Sequence, residues 1–130
     1  MLDWVPSMDP ALKILAVDDT SSVTLSMGFV FAKPRYEFTC VESGMDALAK
    51  LDAESNPYDV IIVDEEMPQL TGVEFVREIR KRGISAQVIV VAAVLSSEIR
   101  RAYQQMDVHV MFPKPFDVGK LRSAVDRIVS

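Results

Sequence analysis

The sequence predicts an α/β protein, a doubly wound five-stranded parallel sheet with helices on both faces. Three observations carry this expectation. Apolar runs of strand length recur at residues 13–17, 60–63, 88–91 and 108–112, each too short for a helix and rich in residues suited to a strand buried on both faces. Stretches with helical spacing stand between them. Three of the runs close on charged residues: Asp18 and Asp19 after the first, Asp64 after the second, and Lys114 with Pro115 after the last.

Each element has a local reason. Residues 13–17 form the first strand, ended by the two aspartates. Residues 20–32 contain no charge and place Val23, Met27, Val30 and Phe31 on one helical face, with Leu25 and Phe29 nearly opposite. Alternation over 37–41 marks the second strand, in which Cys40 is expected to be a buried, inert thiol. Ser43 is suited to cap a helix over 43–53, and Thr71 one over 71–82 that Gly83 stops. A fourth helix is expected over 96–106, and His109 is expected inside the fifth strand. Residues 117–129 close the series: Asp117 is the N-cap, and Val118, Leu121, Val125 and Ile128 are spaced three and four apart.

Composition narrows the functional classes. A chain of 130 residues, 49% hydrophobic, is the size of one domain, here expected over 12–130 behind a leader over 1–11. Pro6 and Pro10 bracket the leader, and Trp4 offers a side chain to dock it. The net charge of −5, with no basic cluster longer than Arg80-Lys81-Arg82, argues against a nucleic-acid groove; three bases at a helix end suit the helix dipole. One cysteine excludes an internal disulfide, and a lone histidine excludes a conventional zinc site. No apolar run approaches the roughly 18–20 residues of a membrane span, and the start lacks a signal peptide's basic head, so a cytoplasmic location is expected.

Right-handed crossovers bring the carboxyl ends of parallel strands to one rim, where doubly wound sheets bind ligands. Asp18, Asp19, Asp64 and Lys114 all fall there. Three carboxylates in one place repel unless a cation offsets them. Oxygen-only donors, too few for a calcium cage, suit Mg2+ with retained waters and a phosphoryl oxygen, and Mn2+ as a substitute.

Asp64 is followed by Glu65-Glu66-Met67-Pro68 and Gln69-Leu70-Thr71-Gly72, and the last strand by Pro113-Lys114-Pro115-Phe116. From about residue 13 to 129 this combination, at these spacings, resembles the receiver domain of two-component response regulators. The resemblance implies a (βα)5 flavodoxin-like sheet of order 2-1-3-4-5. It implies that Asp64 is the phosphoacceptor and a metal ligand, that Asp18, Asp19 and the Glu66 backbone carbonyl complete the Mg2+ site, and that Lys114 pairs with the phosphoryl group. A cis bond before Pro115 is also implied. So is a histidine kinase or histidine phosphotransfer partner, with Glu66 and Val94 tuning the lifetime of the acyl phosphate. The apolar patch of Leu25 and Phe29 beside the acidic rim offers such a partner a docking surface, with packing by the Trp4 leader and homodimerisation as the alternatives.

Two switch positions depart from the family pattern. Ala92 stands where a Thr or Ser is usual, and Met111 where an aromatic ring is usual. A hydrogen bond to a charged group is worth roughly 1.5–3 kcal/mol, comparable to a whole allosteric coupling. The expectation is a smaller rearrangement over 92–106 on phosphorylation, unless another group such as the Ala93 amide replaces the lost contact. With Ser130 at the end of the fifth helix, output is expected through a downstream protein partner, an effector domain in a longer chain, or return of the phosphoryl group to a histidine. Arg100, Arg101 and Asp126 offer charges for a dimer contact. The competing readings are a phosphorylation-independent interaction domain and a Mg2+-dependent aspartate-nucleophile phosphohydrolase. The latter would use Glu66 as second acid but lacks a cap-sized insertion.

Overall fold

A computed structural model describes residues 10–54 and 58–130; Trp4, Pro6 and the rest of the expected leader through residue 9 lie outside them. The elements alternate as β1 (Leu12–Val17), α1 (Ser21–Val30), β2 (Tyr36–Val41), α2 (Gly44–Ala53), β3 (Val60–Asp64), α3 (Gly72–Lys81), β4 (Gln87–Ala92), α4 (Ser97–Gln104), β5 (Val110–Pro113) and α5 (Val118–Ile128). All strand pairs are parallel, in the order β2-β1-β3-β4-β5.

Successive strand residues point to opposite faces, and the continuous apolar runs therefore feed two cores. Leu15, Val17, Ile61, Val63, Val88, Val90 and Ala92 pack with Leu48, Phe75, Val76, Ile79 and Tyr103 of α2, α3 and α4. Ile14, Ala16, Val60, Ile62, Ile89 and Val91 pack with Met27, Leu121 and Val125 of α1 and α5. Helix starts are chemically marked. Ser43 accepts from the Asp46 amide. Thr71 and Glu74 form a reciprocal capping box. Ser96 accepts from the Ile99 amide, and Asp117 from those of Gly119 and Lys120. Gly83, at φ +76°, supplies the left-handed residue that ends α3.

The structure corrects three local expectations. Cys40 is exposed: β2 is an edge strand, and Cys40, opposite Ala16 in β1, lies beyond the cover of the helices. The fifth strand begins at Val110 rather than 108, because α4 unwinds into a turn over 105–107 that ends with Asp107 at φ +62°. His109 is accordingly an exposed residue ahead of the strand, bonded to the Asp107 carboxylate at 3.0 Å. Among the described residues, no helix is long and apolar enough to cross a membrane.

Candidate functional site

β1 and β3 are neighbours in space but not in sequence, so the order reverses between them and their carboxyl ends open a crevice. Val17 pairs with Val63 and Asp64 with Val91, which sets Asp18 and Asp64 side by side. The chain leaving β5 is tied in by the Lys114 amide, which donates to the Ala92 carbonyl at 2.8 Å. The expected cis bond is present between Lys114 and Pro115; another, Lys33–Pro34, was not foreseen.

Asp64 is 1% exposed. Its Oδ1 accepts from Lys114 Nζ at 3.0 Å and from the Glu66 amide at 3.2 Å. Asp18, 2% exposed, accepts from the Thr20 amide through Oδ1 at 2.8 Å. Its other oxygen lies 3.9 Å from Lys114 Nζ, beyond hydrogen-bonding distance, and is buried without a hydrogen-bond partner. Asp18, Asp19 and Asp64 each offer one carboxylate oxygen, all within 4.8 Å of one another.

One ammonium cannot balance this cluster. Burial pushes Asp64 up to about 6; the Lys114 hydrogen bond opposes that shift and the Asp18 charge adds to it. Lys114 is held above its ordinary range: burial works against its charge, but the Asp64 hydrogen bond and the charges of Asp18, Asp64 and Glu66 outweigh it. A hard divalent cation fits the donor set, since it would engage the orphaned Asp18 Oδ2 and neutralise the surplus charge.

Ala92 is fully buried at the end of β4 and Met111, half-buried, pairs with Val90 and packs into the α2, α3 and α4 core. The Ala93 amide, the candidate replacement contact, is already engaged. The Glu66 carboxylate accepts from the Ala93 amide at 2.8 Å and the Val94 amide at 3.3 Å. Glu66 was singled out for its backbone carbonyl, and its side chain turns out to hold the loop before α4. Leu25 and Phe29 are 65% and 78% exposed. Beside them a groove of about 430 Å³ runs from Ser22, Val23 and Ser26 to Lys114 and Phe116.

Three residues escaped the sequence reading. Glu65 is buried; its Oε1 accepts from the Tyr103 hydroxyl at 2.5 Å and the Val73 amide at 3.0 Å. An acid directly after a fully buried strand was the available signal. Arg80 is more than a dipole partner: its guanidinium donates to the carbonyls of Met106, Ile84 and Ala86. Tyr36 donates to Asp126 at 2.7 Å and Arg35 pairs with it at 3.0 Å, so Asp126 has partners within its own chain.

The switch point of this doubly wound sheet thus gathers two buried aspartates, an exposed third and a lysine whose ammonium meets one of them. The response regulator receiver domain model matches residues 14–126, and the chain belongs to that family, the phosphoacceptor modules of two-component systems. It is 26% identical to sporulation initiation phosphotransferase F of Bacillus subtilis, covering 88% of this chain and 91% of that protein. It is 33% identical to the two-component response regulator ORR11 of Oryza sativa over 86% and 79% of the two chains. Against the regulatory protein AtoC of Escherichia coli it is 30% identical, but spans 24% of that longer protein. Among solved structures, the chemotaxis protein CheY4 of Vibrio cholerae superposes with a TM-score of 0.81 at 28% identity, over 91% of this chain and 98% of that one. Receiver domains bind Mg2+ at an acidic pocket and work with a histidine kinase or phosphotransfer partner.

Proposed function

We propose that Asp64 accepts the phosphoryl group in a phosphorelay, within a receiver domain over residues 12–130. In this reading Asp18, Asp19, Asp64 and the Glu66 backbone carbonyl hold Mg2+, with Mn2+ able to substitute, and Lys114 pairs with the incoming group. The observation that carries it is the buried Asp64 carboxylate, 3.0 Å from the Lys114 ammonium and beside the unpartnered Asp18 oxygen.

The donor is a phosphohistidine of a kinase or phosphotransfer domain, or a small phosphodonor. An ionised Asp64 oxygen forms a bond to phosphorus while the bond to the donor breaks, and the bonding electrons leave with the donor. Asp64, held near 6, is largely ionised above pH 7 and able to attack. The Lys114 ammonium is positioned to shift from the carboxylate onto the phosphoryl oxygens as charge gathers there. Mg2+ held by those carboxylates would supply further neutralisation of that charge.

Ala92 and Met111 favour relay or phosphate-sink behaviour over a strong output switch, in keeping with the printed name of the Bacillus phosphotransferase that the chain matches nearly end to end. The test is intact mass after incubation with a small phosphodonor, with and without Mg2+. A Mg2+-dependent gain of one phosphoryl group, lost in Asp64→Ala, is expected. No gain under conditions that label other receivers overturns the proposal in favour of a phosphorylation-independent interaction domain.

A further inference from the structure

Although position 92 carries no hydroxyl and position 111 no ring, a hydrogen-bonded route still joins Asp64 to α4. It begins at Asp64 itself. The peptide between Glu65 and Glu66 donates its N–H to Asp64 Oδ1 at 3.2 Å. On the far side of that peptide, Glu65 Oε1 accepts from the Tyr103 hydroxyl of α4 and from the Val73 amide of α3. The Glu65 carbonyl also accepts from the Gly72 amide at 3.0 Å, so this residue pins both helices to the phosphoacceptor loop.

Tyr103 is well suited to receive such a signal. It is the one fully buried side chain of α4, an eight-residue helix with otherwise exposed or half-buried residues. An element held by so few buried contacts sits near the low end of local stability, and a change at its anchor has leverage over it. Burial and then the Glu65 hydrogen bond hold the hydroxyl protonated far above the ordinary tyrosine range, and the charges of Glu66 and Asp64 also reach it. Glu66 adds a tie of its own, because its carboxylate holds the Ala93 and Val94 amides just before α4.

We propose that Glu65 and Tyr103 couple the charge state of Asp64 to α4, in place of the switch residues absent at 92 and 111. Phosphorylation converts the Asp64 carboxylate into an acyl phosphate, a mixed anhydride bearing a dianionic group. That weakens the acceptor that orients the Glu65–Glu66 peptide and adds like charge on the side of the site that Glu66 faces. The Tyr103 hydroxyl bond gives α4 two discrete states, made or broken, and the change at Asp64 biases the choice. Glu65 and Tyr103 are positioning residues and touch no reacting atom.

The inference rests on Asp64 being the phosphoacceptor, so its test has two arms on the full chain. Phosphoryl gain from a small donor with Mg2+ is read by intact mass. The response of α4 is read as the change in amide exchange over residues 97–104 on adding beryllofluoride and Mg2+, in wild type, Tyr103→Phe and Glu65→Gln. All three proteins are expected to gain the phosphoryl group to the same extent. Wild-type α4 exchange is expected to change about fivefold or more, and by less than half as much in logarithmic measure in either variant. A merely structural bond would shift exchange with and without the mimic alike, leaving the response intact. Full gain with an unchanged response in Tyr103→Phe, or with no wild-type response in α4, overturns the coupling alone. No phosphoryl gain in wild type overturns the phosphoacceptor reading and the coupling with it.

Discussion

Replacing Asp64 by Asn should stabilise the metal-free protein at neutral pH. The carboxyl is raised from an ordinary 3.8 to about 6, so the fold favours its protonated form. At about 1.4 kcal/mol per pH unit, that interval corresponds to about 3 kcal/mol of stability. It is fully present below pH 3.8 and lost as pH rises through about 6. The figure already includes the attraction of Lys114, which lowers the value, and the residue is 1% exposed, so solvent screening is slight. Asn keeps an oxygen for Lys114 Nζ and the Glu66 amide without the buried charge. The assay is thermal unfolding in a chelating buffer from pH 4 to 8, comparing wild type with Asp64→Asn so that other carboxylates cancel. The variant's advantage should grow from near zero at pH 4 to about 3 kcal/mol at pH 7.5, a midpoint difference on the order of 10 °C for a domain this size. Adding Mg2+ at pH 7.5 should raise the wild-type midpoint and narrow the gap. A difference that stays flat between pH 4 and 7 would refute the claim that burial and carboxylate crowding set the resting state of the site.

Two further substitutions probe the rim and its surroundings. A Cβ on Gly72 would stand 2.9 Å from Glu65 Cα and 3.0 Å from the Asp64 carbonyl oxygen, and would also meet the Tyr103 hydroxyl. Backbone atoms cannot give way, so Gly72→Ala should cost about 1–3 kcal/mol, and an unchanged unfolding midpoint would contradict that packing. Polar replacement of Leu25 and Phe29 together should slow phosphotransfer from a protein phosphohistidine while leaving labelling by small donors and the unfolding midpoint unaltered. Equal slowing from both donor types would remove the docking role of that patch.

Much of this molecule is local, and local features can be read along the chain. The apolar runs at 60–63 and 88–91 lie within the buried β3 and β4, and Ser43, Thr71, Asp117 and Gly83 each act within a few residues of themselves. The alternation of strand and helix fixes which strand ends share a rim, so Asp18, Asp19, Asp64 and Lys114 could be gathered on paper before any coordinate was known. Edge effects were not legible: Cys40 carries the same alternation as Tyr36, which is buried on the same face of β2, yet it is exposed near the carboxyl end of that edge strand. Nor does spacing say where a long side chain reaches.

The sequence by itself determined the fold class, the order of elements and the composition of the acidic rim, because hydrophobic periodicity and capping are short-range properties. Tertiary structure alone decided what the neighbouring glutamates do. Glu65 meets Tyr103 across 38 positions of chain, and Glu66 meets the Ala93 amide across 27. Those bonds exist because β3 and β4 are adjacent and α3 and α4 lie on the same face, which brings β3's carboxyl end within one side chain's length of α4. The hydrogen bonds that link α4 and the loop before it to the residues after Asp64 are products of that packing, and no periodicity encodes them.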